Sequence, residues 1–144
     1  MKLLRITQTV LLVMGLLLTA VPASADVTVK NPATGTPEAT LVAAFEAAQA
    51  ADFSKYLRVI HAEHKETARQ RKEREKYEWS RFKKQYKWYL LSEQPISFAV
   101  TSRREEGKNT LRLFIRDQRT KDRMPVPVRM KRDGSGWKII VSSL

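Results

Sequence analysis

The spacing of apolar positions changes repeatedly along this chain, and each change predicts a different element. Val10 to Leu18 is an almost unbroken apolar run, whereas Asp26 to Thr36, with Asn31, Pro32 and Gly35, has no periodicity and reads as an extended linker. Thr36-Pro37-Glu38 then has the form of a helix start: a capping hydroxyl, a proline at the first helical position and a carboxylate near the positive end of the dipole. Leu41, Ala44, Phe45 and Ala48 follow three and four apart, so one face of that helix is apolar. Asp52 can stop it and cap a second helix carrying Phe53, Tyr56, Leu57 and Ile60.

From His61 to Lys76 the apolar side chains are Ala62 and Ala68 alone, and no Gly or Pro interrupts the helix formers. Arg69 with Glu73, Arg71 with Glu75 and Arg74 with Glu78 stand four apart and can brace a solvated helix. Trp79, Phe82, Tyr86 and Tyr89 continue at spacings of three, four and three, and Leu90 widens the stripe. One long basic helix over about 61–91 is the prediction, with its aromatic stripe packed on a sheet. Tyr77 and Trp88 lie off that stripe, as candidates for exposed or pocket-lining aromatics.

After Pro95 the period becomes two. Ile96, Phe98 and Val100 alternate with smaller residues; Leu111, Leu113 and Ile115 alternate with Arg112, Phe114 and Arg116; Val126, Val128 and Met130 alternate with Pro127, Arg129 and Lys131. Turns at Glu106-Gly107-Lys108-Asn109 and Asp133-Gly134-Ser135-Gly136 separate them, the second leading into Trp137 to Val141. The expectation is four consecutive antiparallel strands. Pro125 and Pro127 lack the N–H a ladder needs, which predicts an edge strand or a bulge at its start.

The N-terminal apolar run is preceded by Lys2 and Arg5 and followed by Ala23-Ser24-Ala25, the layout of a secretory signal peptide cut between Ala25 and Asp26. A membrane anchor that is never cut is the competing reading. Its strongly apolar part is only about half of the roughly 20 residues a spanning helix needs. A periplasmic or secreted location follows. With no cysteine in the chain, lipid attachment at a cleavage-site thiol, disulfides and thiolate metal sites are excluded. Removing 25 of 144 residues leaves 119, enough for one domain, so the organisation reads as signal peptide 1–25, linker 26–36 and domain 37–144.

The helix start at Thr36-Pro37-Glu38, the bridge Phe45-Glu46-Ala47-Ala48-Gln49-Ala50-Ala51-Asp52-Phe53, and Asp133-Gly134-Ser135-Gly136-Trp137-Lys138-Ile139 opening the last strand resemble exported bacterial members of the NTF2-like superfamily, a cystatin-like α+β cone. The resemblance spans roughly residues 36–144. It implies an α+β fold in which N-terminal helices pack on a curved four-stranded antiparallel sheet, whose concave mouth becomes a ligand pocket, a binding groove or a dimer face. The long charged helix departs from the common pattern, and no catalytic residue carries over.

Candidate chemistry is sparse. His61 and His64 stand three apart and would share a helix face, but neither zinc-protease spacing is present, so no metal site is assigned. Glu105, Glu106, Asp117, Asp122 and Asp133 fall at predicted turns and read as surface groups; no catalytic residue and no cofactor site are assigned. Charge is the positive signal. Of 27 Lys and Arg, Lys2 and Arg5 leave with the signal peptide, so 25 basic residues face 15 acidic ones, a net charge of about +10. Such an excess attracts polyanions. Lys72, Lys76, Lys83, Lys84 and Lys87 on the long helix, with Arg112, Arg116 and Arg129 on the strands, form the expected surface for an anionic partner. Outside the inner membrane that partner is an anionic envelope component, a membrane surface or a protein rather than nucleic acid. The leading reading is a non-enzymatic binding domain. A small-ligand carrier or enzyme working inside the cone is the alternative, and homodimerisation through the sheet or aromatic helix a third.

Overall fold

The computed structural model describes residues 25–134 and 136–144. The predicted signal peptide, apart from Ala25, and Ser135 of the last turn lie outside the described residues. Helix α1 (Pro37–Gln49) starts where its cap predicts, with Ala39 N–H donating to the Thr36 hydroxyl at 3.2 Å. It buries Leu41, Ala44, Phe45, Ala47 and Ala48. Its end is a Schellman arrangement: Asp52 N–H donates to Ala47 O at 2.9 Å and Ala51 N–H to Ala48 O at 3.1 Å. Ala51 holds the left-handed position, at φ 51°. Asp52 then caps α2 (Phe53–Arg58) by accepting from Lys55 N–H at 3.0 Å.

The helix expected over 61–91 forms as a continuous helical run from Ala68 to Tyr89, with a π turn inside it, but not over 61–67. His61 is extended (φ −61°, ψ 141°) and Ala62–His64 is one 3₁₀ turn, so the two imidazoles do not share a helix face. Helix α3 (Ala68–Arg74) begins only after Thr67, whose hydroxyl accepts from Gln70 N–H while the Gln70 side chain accepts from Thr67 N–H. This capping box gives the backbone a better place to start than the polar stretch before it, which has no apolar face to hold it on a core. A π turn (Glu75–Trp79), helix α4 (Ser80–Gln85) and a 3₁₀ turn (Tyr86–Tyr89) complete the run. Among the described residues no helix is long and apolar enough to cross a membrane.

The class is α+β, with an antiparallel sheet of six strands rather than four. These are β1 (Val27–Lys30), β2 (Leu90–Glu93), β3 (Ile96–Gly107), β4 (Thr110–Ile115), β5 (Val126–Asp133) and β6 (Gly136–Ser142). The order is β1-β3-β4-β5-β6, and β2 pairs with β3 as well. The two additional strands come from segments read otherwise. β1 lies in the expected linker, pairing Val27 to Lys30 with Val100 to Ser97. β2 takes the last residues of the expected helix and folds back on Ile96 to Phe98. Both are four residues long, too short for a period-two pattern to show.

β5 is an inner strand, contrary to the expectation from its prolines. Pro127 O accepts from Ser143 N–H at 3.2 Å, so the side of Pro127 that lacks an N–H faces the end of β6, where the ladder stops. The exposed edge of β6 is covered by the residues after α2: Ile139 N–H donates to Val59 O and His61 N–H to Ile139 O, both at 2.8 Å.

Helices cover one sheet face. Leu111, Leu113, Ile115, Val128, Met130 and Ile139 pack there with Leu41, Phe45, Tyr56, Trp79, Phe82 and Tyr89. Phe45 lies 5.7 Å from Phe82 and 5.4 Å from Phe98 between ring centroids, and Tyr56 lies 5.0 Å from Trp79 and 5.5 Å from Phe82. The expected aromatic stripe is therefore core, and it fills the space between helices and sheet.

Candidate anion-binding face

The other face of the sheet carries the charge. Period-two alternation that turns Leu111, Leu113 and Ile115 toward the helices turns Arg112, Phe114 and Arg116 away from them. Register does the rest: Arg104 on β3 stands opposite Arg112 on β4, which stands opposite Arg129 on β5, which stands opposite Val141 on β6. With strands spaced about 4.8 Å apart, the arginine row crosses roughly 10 Å of sheet. Beside it runs a second row, Ser102, Phe114 and Pro127, and the Arg104 guanidinium carbon lies 5.7 Å from the Phe114 ring centroid. Arg112, Pro127, Arg129, Val141 and Ser143 line a cleft of about 280 Å³.

One carboxylate sits in this row. Glu106 belongs to β3 rather than to a turn, at a point where the β3–β4 register shifts between Glu105 and Gly107. One oxygen, Oε1, pairs with Arg112 Nη2 at 2.7 Å, while Oε2 accepts from Arg129 Nε at 2.7 Å. Arg104 has no acidic partner among the described residues, and Arg112 Nε is buried without a hydrogen-bond partner there. Like charges directly opposite one another destabilise a sheet. The row thus holds three guanidinium groups, of which Glu106 pairs with two, and an excess of positive charge remains unpaired among the described residues.

At the neighbouring end of β4, Arg116 Nε and Nη2 donate to the Asp26 carboxylate at 2.8 and 3.0 Å. The Arg116 hydrogen bonds hold that carboxyl below its ordinary value. The first residue after the expected cleavage point is thereby fixed to the sheet. Ala25, before it, is exposed. Asp26 and Arg116 also line a cleft of about 390 Å³ with Asp117, Gln118, Thr120 and Lys121.

The expected basic surface divides in two. Arg112, Arg116 and Arg129 share the open sheet face, whereas Lys72, Lys76, Lys83, Lys84 and Lys87 are exposed on the helical side. There, Lys83 Nζ lies 5.9 Å from the Trp79 ring centroid, and Lys87 pairs with Glu93 at 3.1 Å. Arg104 is not among the residues expected on this face, and Glu106, expected as a surface group at a turn, is a strand residue paired with two arginines. Carrying the alternation of β3 past Thr101 would put Arg103 on this face; the bulge between Val100 and Ser102 shifts the phase and puts Arg104 there instead. Glu106 was hidden by the Gly107 that follows it and suggested an earlier turn.

The remaining candidates resolve into structural contacts. His61 Nδ1 accepts from Glu63 N–H at 3.3 Å and His64 Nε2 lies 3.3 Å from Glu63 Oε1; among the described residues no three His, Asp or Glu gather around a metal-sized site. Asp117 is buried rather than a surface group. It accepts from Arg119 Nη2 at 2.6 Å and from Arg119 backbone N–H at 3.0 Å, and the Arg119 side chain keeps its carboxyl below the ordinary value. The Arg119 guanidinium in turn lies 3.5 Å from the Trp88 ring centroid, so Trp88 is a stacking partner within the fold. Tyr77 is exposed. At the π turn, buried Tyr56 donates to Glu78 at 2.5 Å, and burial followed by the Glu78 charge pushes its phenol well up. Arg74 Nη1 approaches the other Glu78 oxygen to 2.5 Å but misaligned, an ion pair without a hydrogen bond.

The architecture defines an α+β domain with one helix-covered face and one basic open face. No family model, curated protein or solved structure matches the chain.

Proposed function

We propose that this chain is an exported, NTF2-like binding domain, processed between Ala25 and Asp26, that takes an anionic envelope component on its open sheet face. The observation that carries the reading is the directly opposed row of Arg104, Arg112 and Arg129, in which the Glu106 carboxylate pairs with Arg112 and Arg129 alone. Arginine forks suit oxyanions in a way point charges do not. A binding role rather than catalysis inside the cone is supported by the rings of Phe45, Tyr56, Trp79, Phe82 and Phe98, which occupy the interior that a substrate would need. The resemblance at residues 36–53 and 133–139 supports the NTF2-like assignment. Retention of the purified protein on heparin and on anionic vesicles, followed as salt is raised, tests the reading. Binding at low salt that weakens steadily with salt is expected; indifference to salt, or no retention at low salt, ends it.

A further inference from the structure

We infer that Glu106 is a built-in competitor for the anion site, and that the partner is a linear polymer bearing phosphate groups, which displace this carboxylate from Arg112 and Arg129. The inference rests on the binding reading above and adds to it the ligand chemistry and the residue that selects it.

Glu106 already shows what an oxyanion does here, since each of its oxygens takes one arginine at 2.7 Å. Its side chain is 15 % exposed, so the carboxylate is set into the face rather than waving above it. A carboxylate tethered on the same chain acts at a high effective concentration. An incoming carboxylate, with the same charge and the same two oxygens, gains nothing by replacing it. A phosphate inside a linear polymer brings one charge and two free oxygens, no more than Glu106, but its neighbours stand directly beside it, so two adjacent phosphates meet the row together with twice the charge and twice the oxygens and can hold an arginine fork each where Glu106 holds one contact on each. Unused capacity is present on both sides of the pair: Arg104 has no acidic partner among the described residues, and Arg112 Nε is buried and unpartnered. Repeated phosphates along one chain engage the row at several points, and the second contact forms at the effective concentration set by the first. A monomeric anion lacks that gain.

Titration of the purified protein with long-chain inorganic polyphosphate, poly-glutamate, orthophosphate and phosphatidylglycerol vesicles tests this. Polyphosphate should bind the wild type about tenfold more tightly than poly-glutamate, and Glu106→Gln should tighten polyphosphate binding about tenfold. An affinity in Glu106→Gln equal to or below wild type, with an unchanged circular dichroism spectrum and melting temperature, overturns the competitor role. Equal binding of poly-glutamate and polyphosphate overturns the ligand class, as does binding to vesicles without binding to polyphosphate; in these cases the basic-face reading stands. Failure of every anion to bind removes that reading too. Should Glu106→Gln not fold, Arg104→Gln carries the test, because it leaves the Glu106 contacts in place: polyphosphate affinity should fall about tenfold, and an unchanged affinity overturns the proposal.

Discussion

Asp117 and Glu106 are both carboxylates beside arginines, yet they do different things because their partners are anchored differently. Asp117 pairs with Arg119, two residues away in the same connection, and Arg119 is stacked on Trp88. The result is a clasp between that connection and the 3₁₀ turn, reinforced by Gln118 N–H donating to Trp88 O at 2.7 Å. Arg119 lowers the folded-state affinity of Asp117 for its proton. The clasp therefore adds stability that is fully present above the unfolded aspartate value of about 3.9 and is lost as pH falls through the lower folded value. Thermal melts from pH 6 down to about 2 should show this loss, and Asp117→Asn should be less stable at pH 6 while converging on wild type at the acid end. Parallel curves for the two proteins would remove the clasp. Tyr56 is a second residue whose polar atom matters. Tyr56→Phe deprives Glu78 of its hydroxyl donor and should cost about 1–2 kcal/mol in denaturant unfolding, less than the roughly 3–5 kcal/mol expected for Phe45→Ala in the centre of the ring cluster.

At the scale of elements, what could be read from the chain and what could not divide along a physical line. Where local chemistry decides, the reading holds: the caps at Thr36 and Asp52, the apolar faces of α1 and α2, and the strands beginning at Ile96, Leu111, Val126 and Trp137 are all present. Where distant pairing decides, it does not. β1 and β2 are strands only because β3 is long enough to offer an edge to each, and neither segment alone announces that partner. The polar stretch 61–67 contains good helix formers, but propensity without a face to bury gives way to the Thr67 cap. Pro127 sits in an inner strand because its missing donor falls beyond the end of its neighbour, a coincidence of two strand lengths. One local strain remains in view. Ala51 occupies the left-handed position that closes α1, a conformation costly for a residue with a Cβ. Ala51→Gly should raise stability by about 0.5–1 kcal/mol, the relief of strain exceeding the entropy that glycine adds to the unfolded chain. A lower unfolding midpoint in that variant would show that the turn is held by something other than backbone geometry.

For the molecule as a whole, net charge was legible in the sequence but its geography was not. Lys83, Lys84, Arg112 and Arg129 count equally in composition; the sheet puts the arginines opposite each other on one face and leaves the lysines on the helical side. The pairing of Arg112 with Arg129 depends on a register between strands 17 positions apart in the chain, and Glu106 joins them only through a bulge. A charge-matched comparison separates geography from composition. Polyanion binding should be measured against salt for the wild type, for Arg112→Gln with Arg129→Gln, and for Lys83→Gln with Lys84→Gln. Both double variants lose the same charge. The account predicts that the arginine pair loses affinity by about a hundredfold and reduces the salt slope by about 2, while the lysine pair changes affinity by no more than a few-fold. Equal losses in the two variants would contradict it, because binding would then follow net charge and not the face.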